Sequence, residues 1–181
     1  TGAMYEPSVC IITQGAKRVI VGDEAFVYDP DHFLITSVEL PTVVQIVKAS
    51  KGKPCVGLMQ KINMQELSQM ILDIKLPPPR EKYSRRAMST GKVTLPLLAA
   101  FKRMLDLLKD PRDVPILAPM IQREVLYRLL VSDQGNRLRQ IASSGSQGNL
   151  ILQAIDWLKM NYTKQIRVDN LAARVYMSPS T

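Results

Sequence analysis

The sequence predicts an α+β protein in which a small β-barrel or two-sheet sandwich is followed by helices. Three observations support this fold class. Short apolar stretches alternate with turn residues through residues 9–62, two later segments repeat apolar residues at helical spacing, and a Ser/Gly-rich stretch precedes a last helical region. The 181 residues are 46% hydrophobic and 22% charged, which is ordinary for a globular chain with one core and a smaller appendage.

The β-rich part predicts six short strands separated by turns such as Gly22-Asp23. They are expected at residues 9–13, 17–21, 25–28, 33–37, 43–49 and 55–62. The interior of such a barrel would be lined by alternate side chains, and a barrel the size of eight strands has room for one small ligand. The candidate ligand-binding residues are Cys10, Ile12, Phe33, Ile35 and Met59. The assignment rests on fold analogy, and for any single residue a plain core position is the favoured alternative.

Three helices are expected next. A helix at 63–74 closes over the sheet and ends before three consecutive prolines, and residues 80–92 form a basic, exposed connection. Amphipathic helices at 94–109 and 118–131 form a hairpin whose broad leucine-rich stripes serve either as intrachain core or as a dimer interface. Periodicity is lost between residues 132 and 139. The domains are therefore expected at 1–142 and 149–181, joined by a flexible linker at 143–148.

The C-terminal stretch carries the spacing of a helix-turn-helix. A helix at 150–162 is followed by a shorter one at 168–175, and Ser178-Pro179 is a start signal for a third. In a helix-turn-helix the last helix enters the major groove of DNA, although the same spacing also suits a plain three-helix packing unit. In the DNA-binding reading, Ser180 and Thr181 reach the groove and Ser178 lies near a phosphate. Arg174 and Lys164 are candidate contacts to the DNA backbone.

Charge is unevenly placed along the chain. Residues 1–79 contain seven Lys/Arg and eight Asp/Glu, whereas residues 80–181 contain seventeen and eight. The net charge of +8 therefore belongs to the half with the helix-turn-helix spacing. This asymmetry fits attraction to phosphate backbones, with a solvated basic surface as the alternative.

Several kinds of chemistry are disfavoured. One histidine, His32, cannot supply the ligands of a catalytic metal site, and no glycine loop has the context of a nucleotide site. Cys10 and Cys55 lie in apolar settings where a thiol stays protonated, the alternative being that they sense oxidants or electrophiles. The sequence contains neither an apolar run long enough to cross a membrane nor a signal peptide, so a cytoplasmic location is expected.

Residues in both parts carry a resemblance to a known family. Ile155 to Leu158, Val168 to Ala172 and Met177 to Thr181 resemble the opening of the DNA-binding domain of AraC-type bacterial transcription regulators. The blocks at 14–17, 28–29, 40–41, 117–119, 123–130 and 135–140 are similar to the N-terminal domain in one branch of that family.

The resemblance implies a cupin-like domain that senses a small-molecule effector and dimerises, a linker, and a DNA-binding domain with two helix-turn-helix units. This chain would hold the front of the first unit and would be a fragment. DNA, an effector and a second copy bound through helices 94–109 and 118–131 are the implied partners, and no cofactor and no enzymatic activity are expected. The competing hypothesis is a cupin-like small-molecule-binding protein or isomerase that does not bind DNA.

Overall fold

The computed structural model describes residues 1–74 and 87–143, and of the C-terminal part 154, 157, 158, 160, 161 and 167–174. The chain divides into two compact units, Thr1–Arg139 and Gln140–Thr181. The strands are β1 Gly2–Tyr5, β2 Ser8–Gln14, β3 Ala16–Val21, β4 Glu24–Tyr28, β5 His32–Thr36, β6 Leu40–Lys48, β7 Val56–Lys61 and β8 Met88–Lys92. The helices are α1 Met64–Ile74, α2 Leu95–Asp106, α3 Val114–Leu130, α4 Gly135–Ser143 and α5 Val168–Arg174.

The eight strands form two antiparallel sheets. Sheet A has the order β1-β6-β3-β4 and sheet B the order β7-β2-β5-β8. The α+β fold class is confirmed, and of its two forms the sandwich is the one observed. Gly22 has a φ of +55° in the turn between β3 and β4, a backbone conformation that glycine adopts without steric penalty.

The inner strands of sheet B, β2 and β5, are buried on both faces. Cys10 and Ile12 of β2 and Leu34 of β5 face sheet A, where they form the core of the sandwich with Val19, Tyr28 and Met88. Because side chains alternate along a strand, Val9, Ile11, Phe33 and Ile35 lie on the opposite face, and none is more than 3% exposed. That face meets the helices, since Leu58 and Gln60 of β7 line a groove together with Phe101 and Met104 of α2.

The predicted helical hairpin is present as α2 and α3. The Thr94 hydroxyl caps α2, and one turn of 3₁₀ helix at Leu107–Lys109 extends it. An ion pair between Arg103 and Glu124 joins the two helices. α3 begins at Val114 rather than at residue 118, because Pro115 fits its first turn as well as Pro119 would have done.

Two predictions about the connections are wrong. Residues 88–92 are not an exposed connection: they form β8, which pairs with β5, and Met88 and Gly91 are buried. A Cβ at position 91 would lie 2.4 Å from the Phe33 ring, so any larger residue there would force neighbouring side chains to shift. Residues 135–139 are helical, because α4 follows α3 directly and buries Leu138. Strand β1 was not predicted.

The C-terminal unit contains helix at two predicted places. α5 covers Val168–Arg174 where a helix at 168–175 was expected, and Ala154, Trp157, Leu158, Met160 and Asn161 are helical within the expected 150–162. The predicted linker residues 144–148 and the expected helix start at Ser178 lie outside the described residues. In the part of the chain that the structure describes, no helix is long and apolar enough to cross a membrane.

Candidate functional site

A cleft opens between the two sheets where their edge strands β1 and β7 part. Its volume is about 260 Å³. Both edge strands and the inner strands contribute to its walls. The lining residues are Ala3, Met4 and Tyr5 of β1, Cys10, Ile11 and Ile12 of β2, Lys17 of β3, Tyr28 of β4, and Gly57, Leu58 and Met59 of β7. Most of these residues are apolar, but polar groups are exposed beside them, so the cleft suits a ligand with both an apolar part and a polar group.

Two tyrosines and a lysine supply the polar side chains of the cleft that carry nitrogen or oxygen. Lys17 and Tyr28 are direct partners in the register of β3 and β4, which places them side by side. The hydroxyl oxygens of Tyr28 and Tyr5 lie 3.4 Å apart. Burial raises the pKa of both phenols above the ordinary value of 10.0. At neutral pH both groups are therefore uncharged hydroxyls, and because one of them donates to the other, one O–H proton of the pair is left for a ligand.

The two cysteines are close to the same core but differ in exposure. Cys10 is 4% exposed, and burial raises the pKa of its thiol to about 11, an effect that the nearby positive charge of Lys17 partly opposes. Cys55 is partly buried and packs against the core of the sandwich. Neither forms a disulfide. A protonated thiol is a poor nucleophile, so the environment of Cys10 favours the inert interpretation over oxidant sensing.

The structure brings together three of the five predicted ligand-binding residues. Cys10, Ile12 and Met59 line the cleft. Phe33 and Ile35 do not lie on this side of sheet B. The register pairs Cys10 with Leu34, so Leu34 faces the sandwich interior and its two neighbours face the helices. The expectation that all five line one interior is therefore wrong.

Sequence reasoning missed Tyr5, Lys17 and Tyr28. A signal for Lys17 existed, because it shares the inward period of Val19 and Val21 in a predicted strand. Tyr28 was expected at the end of the strand at 25–28, but no ligand-binding role was predicted for it. Tyr5 belongs to the unpredicted β1, so its position in the cleft depends on the pairing of β1 with β6.

His32 lies outside the cleft, at the junction of β4 and β5. Its Nδ1 is 3.0 Å from Oδ1 of Asp29, and both side chains are substantially exposed. Among the described residues, no group of three or more His, Cys, Asp or Glu is placed to hold a metal ion.

The predicted DNA-binding residues fall almost entirely outside the described residues. Arg174 is the last residue of α5, and its side chain is not described. Lys164, Ser178, Ser180 and Thr181 lie outside the described residues. These assignments stay predictions.

A family model and two solved structures are similar to this chain. The family model described as the AraC-type transcriptional regulator N-terminus matches residues 1–137. The crystal structure of an apo lysine-to-alanine variant of ToxT from Vibrio cholerae strain SCE256 is similar over 98% of this chain and 67% of that chain, at 6% identity and a TM-score of 0.54. The structure of the AraC-like transcriptional activator CuxR matches 96% of this chain, which spans 58% of CuxR, at 11% identity and a TM-score of 0.47. No curated protein matches the chain.

The fold defines a class of protein, an antiparallel sandwich with attached helices and a cleft at its open edge. At 6% identity the likeness to ToxT concerns this fold alone. The family follows from the sequence match, which covers well over half of the chain. This chain belongs to the AraC-type transcriptional regulators.

Proposed function

We propose that this chain is the effector-sensing and dimer-forming part of a bacterial transcription regulator, together with the beginning of its DNA-binding domain. The observation that carries the proposal is the match of the AraC-type N-terminal family model to residues 1–137. The sensing domain comprises residues 1–142, the linker 143–148 and the partial DNA-binding domain 149–181. The regulator works in the cytoplasm and catalyses no reaction.

The DNA-binding role is supported by α5 and by charge. α5 covers Val168–Arg174, where the sequence predicts the shorter helix of a helix-turn-helix, and residues 80–181 carry seventeen Lys/Arg against eight Asp/Glu. In the intact regulator Ser180 and Thr181 contact bases and Ser178 a phosphate, while Arg174 and Lys164 contact the backbone. This arrangement positions the recognition helix through phosphate contacts and reads sequence through base contacts.

The effector site is the cleft between β1 and β7. Cys10, Ile12 and Met59 contact the effector there, together with Tyr5, Lys17 and Tyr28. A small ligand that prefers one pose of the domain shifts the population toward that pose.

Arg137 offers a physical route from the cleft to the linker. It lies in α4, the helix in which the first compact unit ends, and its Nη2 donates a hydrogen bond of 2.9 Å to the Met88 carbonyl oxygen. The Met88 side chain packs in the sandwich core with Cys10, Ile12 and Tyr28. A shift of that core on effector binding would therefore move an atom that holds α4.

Dimerisation through the α2–α3 hairpin is supported by apolar side chains that the chain itself leaves exposed. Leu108 is 71% exposed and Met120 65% exposed. Replacing Leu108 by Glu is expected to weaken self-association in sedimentation equilibrium. Leu72 of α1 is also 71% exposed, so Leu72→Glu is the matched control and should leave the association constant unchanged. Equal effects of the two substitutions would argue against the hairpin interface.

The DNA-binding proposal is tested with the protein extended beyond Thr181 through the rest of its DNA-binding domain. Selection from a random duplex pool followed by fluorescence anisotropy should yield a preferred sequence. Arg174→Ala should weaken binding uniformly across sequences. It should also reduce, by about 1, the slope of the logarithm of the binding constant against the logarithm of the salt concentration. Arg112→Ala removes a side chain that is 88% exposed in the first unit and should change neither. If no sequence is preferred over random duplex, the chain is not a DNA-binding regulator.

A further inference from the structure

Positive charge in the first 79 residues is concentrated at one end of sheet A. Seven Lys/Arg occur in this part of the chain, and five of them lie at that end. The register places the start of β3 beside the end of β6, because Ala16 pairs with Lys48 and Arg18 with Gln45. A part of the chain that is nearly neutral as a whole therefore carries a local excess of positive charge. The five residues are Lys17, Arg18, Lys48, Lys51 and Lys53.

A tight turn between β6 and β7 presents three of these lysines to solvent. The Ser50 N–H donates to the Lys53 carbonyl oxygen at 2.9 Å, and the Lys53 N–H donates to the Ser50 carbonyl oxygen at 3.2 Å, which leaves Lys51 and Gly52 at the tip. A Cβ added at Gly52 would meet nothing within 4 Å, so the tip stands in open space. Every residue from 48 to 53 is exposed, and we call this segment the lysine hairpin.

The lysines of this hairpin have no anionic partner in the part of the chain that the structure describes. Cations on α2 and α3 are paired, as Lys102 is with Asp106 and Arg123 with Asp73. The ion pairs between described residues include none of the three lysines of the lysine hairpin. No Asp or Glu occurs between residues 40 and 65. A concentration of unpaired positive charge attracts an anionic partner.

We propose that the lysine hairpin contacts the phosphate backbone of duplex DNA, outside the DNA-binding domain. Its tip offers ammonium groups, the Ser50 hydroxyl and no apolar side chain, which is the chemistry of contacts to phosphate rather than to base edges. The inference rests on the proposed function, which brings the protein to DNA. Ile46 and Val56, on the strands that lead to the hairpin, are also exposed, so an acidic protein surface is the competing partner.

The test measures the salt dependence of DNA binding by the 181-residue protein. Fluorescence anisotropy of a labelled random-sequence duplex gives the binding constant over a range of salt concentrations. The triple variant Lys48→Gln, Lys51→Gln, Lys53→Gln should bind more weakly. It should also reduce the slope of the logarithm of the binding constant against the logarithm of the salt concentration by about 3, since each lost phosphate contact contributes about 0.9. Lys51→Gln alone should reduce that slope by about 1.

A second triple variant separates the position of the charges from their number. Lys61→Gln, Lys102→Gln and Arg112→Gln together remove the same charge at exposed sites where each cation has a carboxylate partner. This control should leave the slope close to that of the natural sequence. Competition with unlabelled duplex and with polyglutamate of equal total charge then tests the partner. The duplex should displace the label at much lower concentration than polyglutamate does.

The possible failures are distinguishable. Equal loss of slope in the two triple variants would show an effect of net charge and overturn the hairpin contact, as would absence of duplex binding at low salt. Equal competition by polyglutamate would assign the hairpin to an acidic protein surface instead. None of these results decides the proposed function, which depends on the sequence preference of the extended protein. If that protein prefers no sequence while the hairpin variant still loses slope, the proposed function fails and the phosphate contact stands.

Discussion

The hydroxyl oxygens of Tyr5 and Tyr28 lie 3.4 Å apart, although the two residues belong to opposite edge strands of sheet A. In a flat sheet these strands would be separated by about 14 Å, which is three inter-strand spacings of roughly 4.8 Å. The two side chains therefore reach each other across the inner face of sheet A. Their contact forms part of the wall that sheet A contributes to the cleft.

The two tyrosines differ in burial, which predicts an unequal response to loss of the pair. Tyr28 is 2% exposed, so Tyr5→Phe leaves a buried hydroxyl with the weakly accepting Cys10 sulfur as its neighbour. We expect Tyr5→Phe to lower the free energy of unfolding by about 1–2 kcal/mol and Tyr28→Phe by about half as much. Urea unfolding of both variants and of the double variant measures this. A larger effect of Tyr28→Phe, or strict additivity, would contradict the hydrogen-bonded pair.

Gly15 and Gly22 allow a comparison of two glycine requirements. Both have positive φ, +89° and +55°, but an added Cβ at Gly15 would meet the Lys48 carbonyl oxygen at 2.4 Å, whereas at Gly22 it would meet nothing within 4 Å. Gly22→Ala should therefore destabilise by about 1–2 kcal/mol, the strain of the left-handed backbone alone. Gly15→Ala should be worse, because the β6 backbone must also move. Urea unfolding measures this: at an unchanged m-value, the unfolding midpoint of Gly15→Ala should lie below that of Gly22→Ala.

The thiols should react at different rates. Cys10 is buried and its pKa is about 11, so iodoacetamide at pH 7.5 should modify Cys55 first. Mass spectrometry of Cys10→Ser and Cys55→Ser variants assigns the two rates. Preferential labelling of Cys10 at neutral pH would revive the oxidant-sensing hypothesis.

The same pKa shift makes stability depend on pH. The folded state holds the thiol proton more tightly than the unfolded chain does, since its pKa is raised from 9.0 to about 11. The buried, uncharged thiol therefore contributes fully to the free energy of unfolding below pH 9.0. This contribution is lost as the pH rises to about 11. Cys10→Ser should flatten this part of the stability profile, which urea unfolding at several pH values measures.

Arg137 should be the anchor of α4. It is 9% exposed, and Arg137→Met removes its hydrogen bond to the Met88 carbonyl oxygen while keeping much of its apolar stem. The expected loss is about 1.5–3 kcal/mol, the range for a hydrogen bond to a charged group. Amide hydrogen exchange should accelerate in α4, including Leu138, and less in β2. Arg112→Met, at a side chain that is 88% exposed, is the control and should be near neutral.

Much of the fold could be predicted from local pattern. Strands β2 to β7 and helices α1 to α3 were expected within a few residues, because each carries enough apolar periodicity or turn chemistry to be recognised alone. β8 has the polar sequence Met-Ser-Thr-Gly-Lys and was not recognised. It is a strand because β5 offers it a pairing edge, a partner that lies more than fifty residues earlier in the sequence.

The site was predictable only in part for a related reason. Side chains alternate along a strand, so Cys10 and Ile12 share one face of β2, and Phe33 and Ile35 share one face of β5. This alternation does not determine whether the two pairs point to the same face of sheet B. The register of Cys10 with Leu34 decides that.

Local sequence was therefore sufficient for the α+β class, for most elements, and for a resemblance to AraC-type regulators that the family match confirms. The cleft, its lysine and its tyrosine pair depended on long-range strand pairing and on the parting of two sheet edges. Periodicity reports which residues of one segment share a face, whereas only the packing of segments distant in sequence determines what that face meets.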